Sequence, residues 1–121
     1  MGKLILHSIC FVINPSKTHP KDLEDFDEEL YVNIGEENEK WTETFFLRII
    51  SIKRLDKLFE DVDSYKIGIH LKNTLIMKYY DETIIKDYLK NVIRRCNLEK
   101  GEKAFNCLTH HLEYECEEEL Y

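Results

Sequence analysis

The chain has 121 residues, a formal net charge of −7 and 43% hydrophobic residues, values that fit one globular domain. Proteins that bind phosphate backbones or anionic lipids gain affinity from clustered lysine and arginine. The negative balance therefore argues against nucleic acid and membrane partners. It favours a basic protein partner, because complementary charge speeds and orients encounter.

The first apolar segment, residues 3–13, is interrupted by His7 and Ser8 and is too short to span a bilayer. No small-residue cleavage site follows it, so we interpret it as the first strand of a cytoplasmic protein. The cysteines form no CxxC pair. Cys96 and Cys107 lie on the apolar faces of helical patterns, which predicts reduced, structural thiols.

Period-two alternation predicts the next two strands. After a loop at 14–24, residues 30–34 alternate between apolar and polar, and an aromatic and β-branched run covers 41–52. The polar segment 35–40 between them is typical of a turn, so we expect a hairpin. Its three aromatic side chains, Trp41, Phe45 and Phe46, are expected to lie in the core. The alternative is that one or two of them are exposed interface anchors.

The rest of the chain predicts helices at 54–62 and 102–112 and strands within 67–80 and 113–117. Between them, Asp81 is the expected N-cap of a long helix whose apolar stripe ends at Cys96. Strands and helices that do not strictly alternate predict an α+β fold. We expect a single domain over 1–121, with a mainly antiparallel sheet of about four to five strands and two or three helices.

Negative charge is concentrated in two segments. Residues 21–46 hold ten acids and two bases, and residues 101–121 hold six acids and one base. The simplest interpretation is a solvated surface, and the alternative is a face that docks a basic protein. The expected docking residues in the first segment are Glu24, Asp25, Asp27, Glu28, Glu36, Glu37 and Glu39. Those in the second segment are Glu113, Glu115, Glu117 and Glu118.

Two patterns could carry chemistry. Cys107 and His111 lie one helical turn apart, as metal ligands can. Glu113, Glu115 and Glu117 would share one face of a strand, as the Mg²⁺ ligands of a small metal-dependent hydrolase would. Neither pattern comes with a nucleophile motif or a phosphate-binding glycine loop. We therefore expect no enzymatic activity, no metal and no cofactor, and keep the hydrolase and a general acidic adaptor as alternatives.

Five segments of the chain, taken in this order, carry a family resemblance. They are the loop 14–26, the strand end 32–36, the aromatic strand 45–50, the strand-to-helix junction 75–81 and the ending 111–115. This order resembles the immunity-protein-8 family of bacterial polymorphic and contact-dependent growth inhibition toxin systems. Phe105 and Leu112 depart from the family pattern, which often has tryptophan and an aromatic residue at these places.

The resemblance implies a small bacterial inhibitor that binds the C-terminal domain of a cognate toxin and blocks its active site or substrate groove, in a toxin–antitoxin-like way. Many such toxins are nucleases with basic grooves, which an acidic protein can occupy in place of nucleic acid. We therefore expect a cytoplasmic immunity protein that is a monomer or a weak homodimer and binds a basic toxin domain.

Overall fold

The computed structural model describes residues 3–61, 71–99 and 101–114. The elements in these ranges are β1 (Leu4–Phe11), β2 (Asp27–Glu36), β3 (Glu43–Ser51), α1 (Ile52–Asp61), β4 (Thr74–Met77), α2 (Glu82–Cys96), α3 (Glu102–His111) and β5 (Glu113–Tyr114). The predicted α+β class is confirmed, because the strands share one sheet and α2 and α3 contribute to one core cluster with it.

The sheet has the strand order β1-β2-β3-β4. β1, β2 and β3 are antiparallel neighbours, and β4 runs parallel to the second half of β3. β5 is antiparallel to the first half of β3, with Tyr114 opposite Phe45. We call the end of the sheet that carries residues 35–43 the hairpin end, and the end that carries residues 12–28 the loop end.

Alternate side chains of the long strands form the core. Val32 of β2 and Phe45 of β3 lie opposite each other and are fully buried. They belong to one apolar cluster with Ile85 and Leu89 of α2 and Leu108 of α3. The period-two pattern of the strands and the helical stripe of α2 therefore bury the faces that the sequence predicts.

Both ends of α2 are held by side chains. Asp81 Oδ1 accepts a hydrogen bond from the Thr83 amide at 2.9 Å, which confirms the predicted N-cap. At the other end, Asn97 accepts a hydrogen bond from the Leu4 amide at 3.0 Å and donates one to the Leu4 carbonyl at 2.9 Å. These two bonds fix the end of α2 to the first residue of β1.

Several element boundaries differ from the sequence prediction; β1, for example, ends at Phe11 rather than at residue 13. β2 continues through Glu36 because β1 pairs with it up to this residue, so Gly35 is in the strand rather than in the turn. β3 begins at Glu43, which leaves Trp41 outside the sheet. α1 begins at Ile52, directly after β3. Parts of the predicted elements lie outside the described residues, namely 62, 67–70 and 115–117.

Cys96 and Cys107 form a disulfide, so the prediction of reduced thiols is wrong for this pair. Cys96 ends α2 and Cys107 lies within α3, and the packing of the two helices brings the sulfurs together. No short cysteine motif in the sequence predicts this bond, because it joins two separate helices. The bond fastens α3 to α2. Cys10 is a free thiol, and Cys116 lies outside the described residues.

Candidate protein-docking site

Asp25 is an ion-pair partner rather than a free surface acid. Its side chain is only 8% exposed, and it accepts a hydrogen bond from Arg54 Nε at 2.6 Å and another from Lys57 Nζ. The hydrogen bond from Lys57, with that from Arg54 and both positive charges, outweighs desolvation and lowers the pKa of Asp25. Because α1 supplies both cations, Asp25 ties the loop before β2 to this helix.

Asp27 and Glu28 are also neutralised within the chain. Arg48 donates to the two carboxylate oxygens of Asp27 at 2.8 and 2.6 Å, and these bonds raise the pKa of Arg48. Lys17 binds Glu28 at 2.7 Å. A cleft of about 920 Å³ at the loop end is lined by acids and bases from these ion pairs, so its charges largely cancel. Glu24, in the same loop, is exposed.

Among residues 3–61, 71–99 and 101–114, no such cation pairs with the acids of the hairpin end. Glu37 and Glu39 are exposed and Glu36 is half-buried. No salt bridge joins them, or Glu43, to another residue of the described ranges. Glu43 accepts a hydrogen bond from the Tyr114 hydroxyl at 2.7 Å, which leaves its charge in place. The seven acids expected in the first segment therefore fall at opposite ends of β2, about 30 Å apart at roughly 3.3 Å per residue.

Trp41 lies beside the hairpin acids with its side chain 85% exposed. Its carbonyl oxygen packs onto Gly35 so closely that a Cβ on Gly35 would overlap it. The absence of that Cβ lets the chain cross the end of β2. The expectation of a core aromatic is confirmed for Phe45, which is fully buried, and wrong for Trp41. The polar residues on both sides of Trp41 were the sequence signal for its exposure.

A small apolar pocket opens beside Trp41, and we call it the hairpin pocket. Its volume is about 260 Å³, below the roughly 300–1,000 Å³ of small-molecule sites, so it suits one side chain better than a cofactor. Its lining combines apolar side chains from three strands and α3 with three acids: Leu4, Ile34, Phe45, Phe105, Leu108, Glu36, Glu39 and Glu43. Sequence reasoning placed Phe105 and Leu108 in the core and missed their part in this pocket.

The α3 wall of the pocket is braced by aromatic contacts. The Phe105 ring lies 5.6 Å from the ring of Phe45 and 5.0 Å from that of Tyr114, edge to face in the second case. The neighbouring Cys107 is held by the disulfide to α2. These contacts give the pocket a preformed wall.

The second acidic segment begins next to the first. Glu113 is exposed in β5, opposite Phe46. Since β5 is antiparallel to β3, it runs toward the hairpin end, and Tyr114 reaches Glu43 there. The other expected docking acids of this segment, Glu115, Glu117 and Glu118, lie outside the described residues.

The comparison with protein families decides what the chain is. The family model for immunity protein 8 matches residues 6–119, nearly the whole chain. The chain belongs to the immunity protein 8 family. Membership confirms the resemblance seen in the sequence and implies an immunity protein that acts against a toxin. No curated protein and no solved structure matches the chain.

The two patterns that could carry metal chemistry lie only partly in the described residues of this immunity protein. Within it, no three histidine, cysteine or acidic side chains are grouped to hold a metal ion. Cys107 is oxidised, so it is no thiolate ligand beside His111. Of the carboxylates expected for a hydrolase, only Glu113 is in the described ranges. None of the helices in these ranges has the length and apolar character needed to cross a membrane.

Proposed function

We propose that this immunity protein neutralises a basic nuclease toxin by stoichiometric binding through the acidic hairpin end, without chemistry of its own. The observation that carries the proposal is the contrast among its acids. Asp25, Asp27 and Glu28 bind cations of the same chain, whereas Glu36 and Glu37 bind none in the described residues. Acids left without internal partners are the ones whose charge a partner can use.

The proposed mechanism is occupation of a groove built for nucleic acid. A nuclease binds the phosphate backbone with lysine and arginine, so its groove carries a positive potential. A protein with clustered carboxylates is steered into such a groove and competes with the substrate there. Immunity protein–nuclease pairs reach the limit of non-covalent affinity. The hairpin end combines this charge with an exposed aromatic residue, Trp41, and Trp is enriched among residues that dominate interface energies.

We propose that the tail acids also take part in docking. β5 runs toward the hairpin end and is followed in the sequence by Glu115, Glu117 and Glu118. We assign Glu113 and these three a secondary part in docking, and Glu24 a separate, weaker contact at the loop end. The proposed setting is the bacterial cytoplasm, in a contact-dependent growth inhibition system, with the protein acting as a monomer or weak homodimer.

Growth rescue tests the proposal. The C-terminal domain of the protein encoded directly upstream is expressed inducibly in cells, with and without this protein. Rescue and co-purification of a stable complex are expected. In vitro, titration of the toxin's nuclease activity is expected to reach full inhibition at one equivalent, because a binder acts stoichiometrically.

Other outcomes discriminate among the alternatives. Full protection by far less than one equivalent contradicts a pure binder and favours an enzyme, for which Glu115→Gln and Glu117→Gln should then abolish a divalent-dependent activity. Several weak partners and no rescue favour a general acidic adaptor. Inhibition without competition by nucleic acid contradicts occupation of the substrate groove.

A further inference from the structure

We propose that the hairpin pocket receives one arginine side chain of the toxin, an inference that rests on the proposed function and names the chemistry of its central contact. The pocket is small, preformed and open beside Trp41. Its lining is apolar inside the sheet–α3 sandwich and acidic where it is formed by the hairpin. This combination matches a side chain with an apolar stem and a cationic head.

The apolar part of the lining fits the stem. Leu4 of β1 and Phe105 of α3 line the pocket and are half-buried, so they offer apolar surface to an incoming side chain. The methylene groups of arginine pack favourably on such surfaces while the charged head stays near water. A wholly polar occupant would lose its hydration here without compensation.

The acidic part of the lining fits the head. Glu36, Glu39 and Glu43 all line the pocket, and none forms a salt bridge within the described ranges. An apolar or aromatic occupant would cover these carboxylates and leave their charge unpaired, which is costly. A cation therefore fits the site better than an uncharged side chain of the same size.

Trp41 selects arginine over lysine. Trp41 is one of the residues that line the pocket, and it is 85% exposed, so its indole is accessible to a partner next to the acids. A guanidinium is planar, stacks on an aromatic face and binds a carboxylate with two parallel hydrogen bonds, whereas an ammonium is a more strongly hydrated point charge. Phe105 adds a second aromatic surface within the pocket.

The competing occupant is the segment that follows β5. Residues 115–121 carry four acids, Glu115, Glu117, Glu118 and Glu119, which the acidic lining repels. A cationic side chain from outside the chain is favoured by the same charges. Charge complementarity thus assigns the pocket to the basic partner.

Binding measurements with the toxin domain encoded upstream, in a catalytically inactive form, test the inference. Trp41→Ala and the pocket-filling Leu4→Trp are each expected to raise Kd by about 30-fold or more, as loss of an interface hot spot does. The isosteric pair Glu36→Gln and Glu39→Gln removes charge while keeping shape, and is expected to raise Kd by about 10-fold or more. Leu98→Ala is the matched control for Trp41→Ala, since Leu98 is 83% exposed elsewhere, and it should leave Kd unchanged.

A double-mutant cycle identifies the occupant. Each arginine of the toxin domain is changed in turn to lysine, and one of these changes is expected to raise Kd strongly against the wild-type protein but little against Trp41→Ala. The inference is overturned if no arginine couples to Trp41, or if a lysine or an aromatic residue does. It is also overturned if truncation after Tyr114 tightens binding, since the chain's own tail would then occupy the pocket. A tight complex that ignores the pocket variants overturns this inference alone, whereas absence of any complex overturns the proposed function with it.

Discussion

The two ends of the sheet carry the same kind of residue and use it differently. At the loop end, Asp25 lies between Arg54 and Lys57, and Asp27 binds Arg48 through both carboxylate oxygens. At the hairpin end, Glu36 and Glu37 have no cation from the described chain within salt-bridge distance. One end therefore uses its carboxylates to hold a loop and a helix in place, and the other has the carboxylates that we propose dock the partner.

The difference shows that acids in one segment of a sequence can have different structural surroundings. β2 begins at Asp27 and ends at Glu36, so a single strand separates the two groups by its full length. Arg48 of β3 and Arg54 of α1, which help neutralise the loop end, come from other elements, whereas Lys17 lies in the loop itself. The proposed docking acids and the acids that form internal ion pairs are thus different carboxylates, and substitutions should separate their effects.

The largest effect on stability is expected from the disulfide, which holds the α3 wall of the hairpin pocket. Cys96→Ala with Cys107→Ala should lower the free energy of unfolding by roughly 3 kcal/mol, because the bond restricts the conformations of the unfolded chain. Urea denaturation in the absence of reductant measures this. Cys10→Ala is the matched control, and an equal loss there would contradict the assignment.

Charge reversal at the hairpin end is expected to act on binding alone. Glu36→Lys, Glu37→Lys and Glu39→Lys together should slow toxin association by about 10- to 100-fold at low salt and flatten its salt dependence. The free energy of unfolding should not fall, because these acids form no salt bridge with the residues that the structure describes. A control with the same change in net charge reverses three exposed acids elsewhere: Asp56, Asp87 and Glu99. Equal slowing in both triple variants would remove the hairpin acids from the interface.

Gly35→Ala is expected to disturb the hairpin end through packing. The new methyl group would overlap the carbonyl oxygen of Trp41, so the chain must shift, at a cost of about 1–3 kcal/mol. Trp41 is the only tryptophan in the sequence, so its fluorescence reports the shift during urea denaturation. Asn38→Ala, at an exposed position of the same turn, should have no effect. A fully stable Gly35→Ala protein with unchanged fluorescence would contradict the close approach.

Tyr80→Phe is expected to weaken the loop end by about 1 kcal/mol, because it removes the hydrogen bond to the Thr18 carbonyl at 3.1 Å. Desolvation, with the nearby carboxylates, raises the pKa of Tyr80 to about 12. In the unfolded chain it ionises near its ordinary value of about 10, so stability should fall as pH rises between these two values. The Tyr80→Phe protein should not lose stability in this pH range. The Tyr79→Phe protein, changed at a more exposed position, should lose it as wild type does. A pH profile of thermal unfolding measures both.

The smallest effect is expected from Asp25, whose cations are partly exposed. Its lowered pKa means that the ion pairs contribute stability above the ordinary carboxyl pKa of about 3.9, and that this contribution is lost as pH falls through the lowered value. Asp25→Asn should therefore have a lower free energy of unfolding than wild type at pH 7, and this difference should disappear in acid. Asp22→Asn, in the same loop, is the control. A difference in free energy of unfolding that stays constant with pH would show that the charge of Asp25 plays no part.

Local sequence patterns were sufficient to predict the elements that need only some apolar neighbour or a nearby amide, whichever residue supplies it. The alternation around Val32 and the stripe that includes Ile85 and Leu89 predict buried faces, because any apolar neighbour satisfies them. The cap at Asp81 was predictable for the same reason, since it needs only the amide of Thr83 two residues later. These features depend on residues close in sequence.

The candidate site was harder to predict because its members are distant in sequence. Counting charge along the sequence located the two acidic segments. It could not identify the cations that neutralise the acids of the loop end. Trp41 lies next to an aromatic strand and reads as core, yet the chain leaves the sheet before it. The pocket beside it combines β1 with α3, about a hundred residues apart.

The sequence by itself determined the fold class, the long helix, the net charge and the family resemblance, all of which follow from periodicity, composition and order along the chain. Only the tertiary structure decided which acids are paired, that Cys96 meets Cys107, and that Trp41 is exposed beside a pocket. The physical reason is that ion pairs, disulfides and pockets depend on distances of a few ångströms between separate elements. Those distances exist only once the helices pack on the sheet.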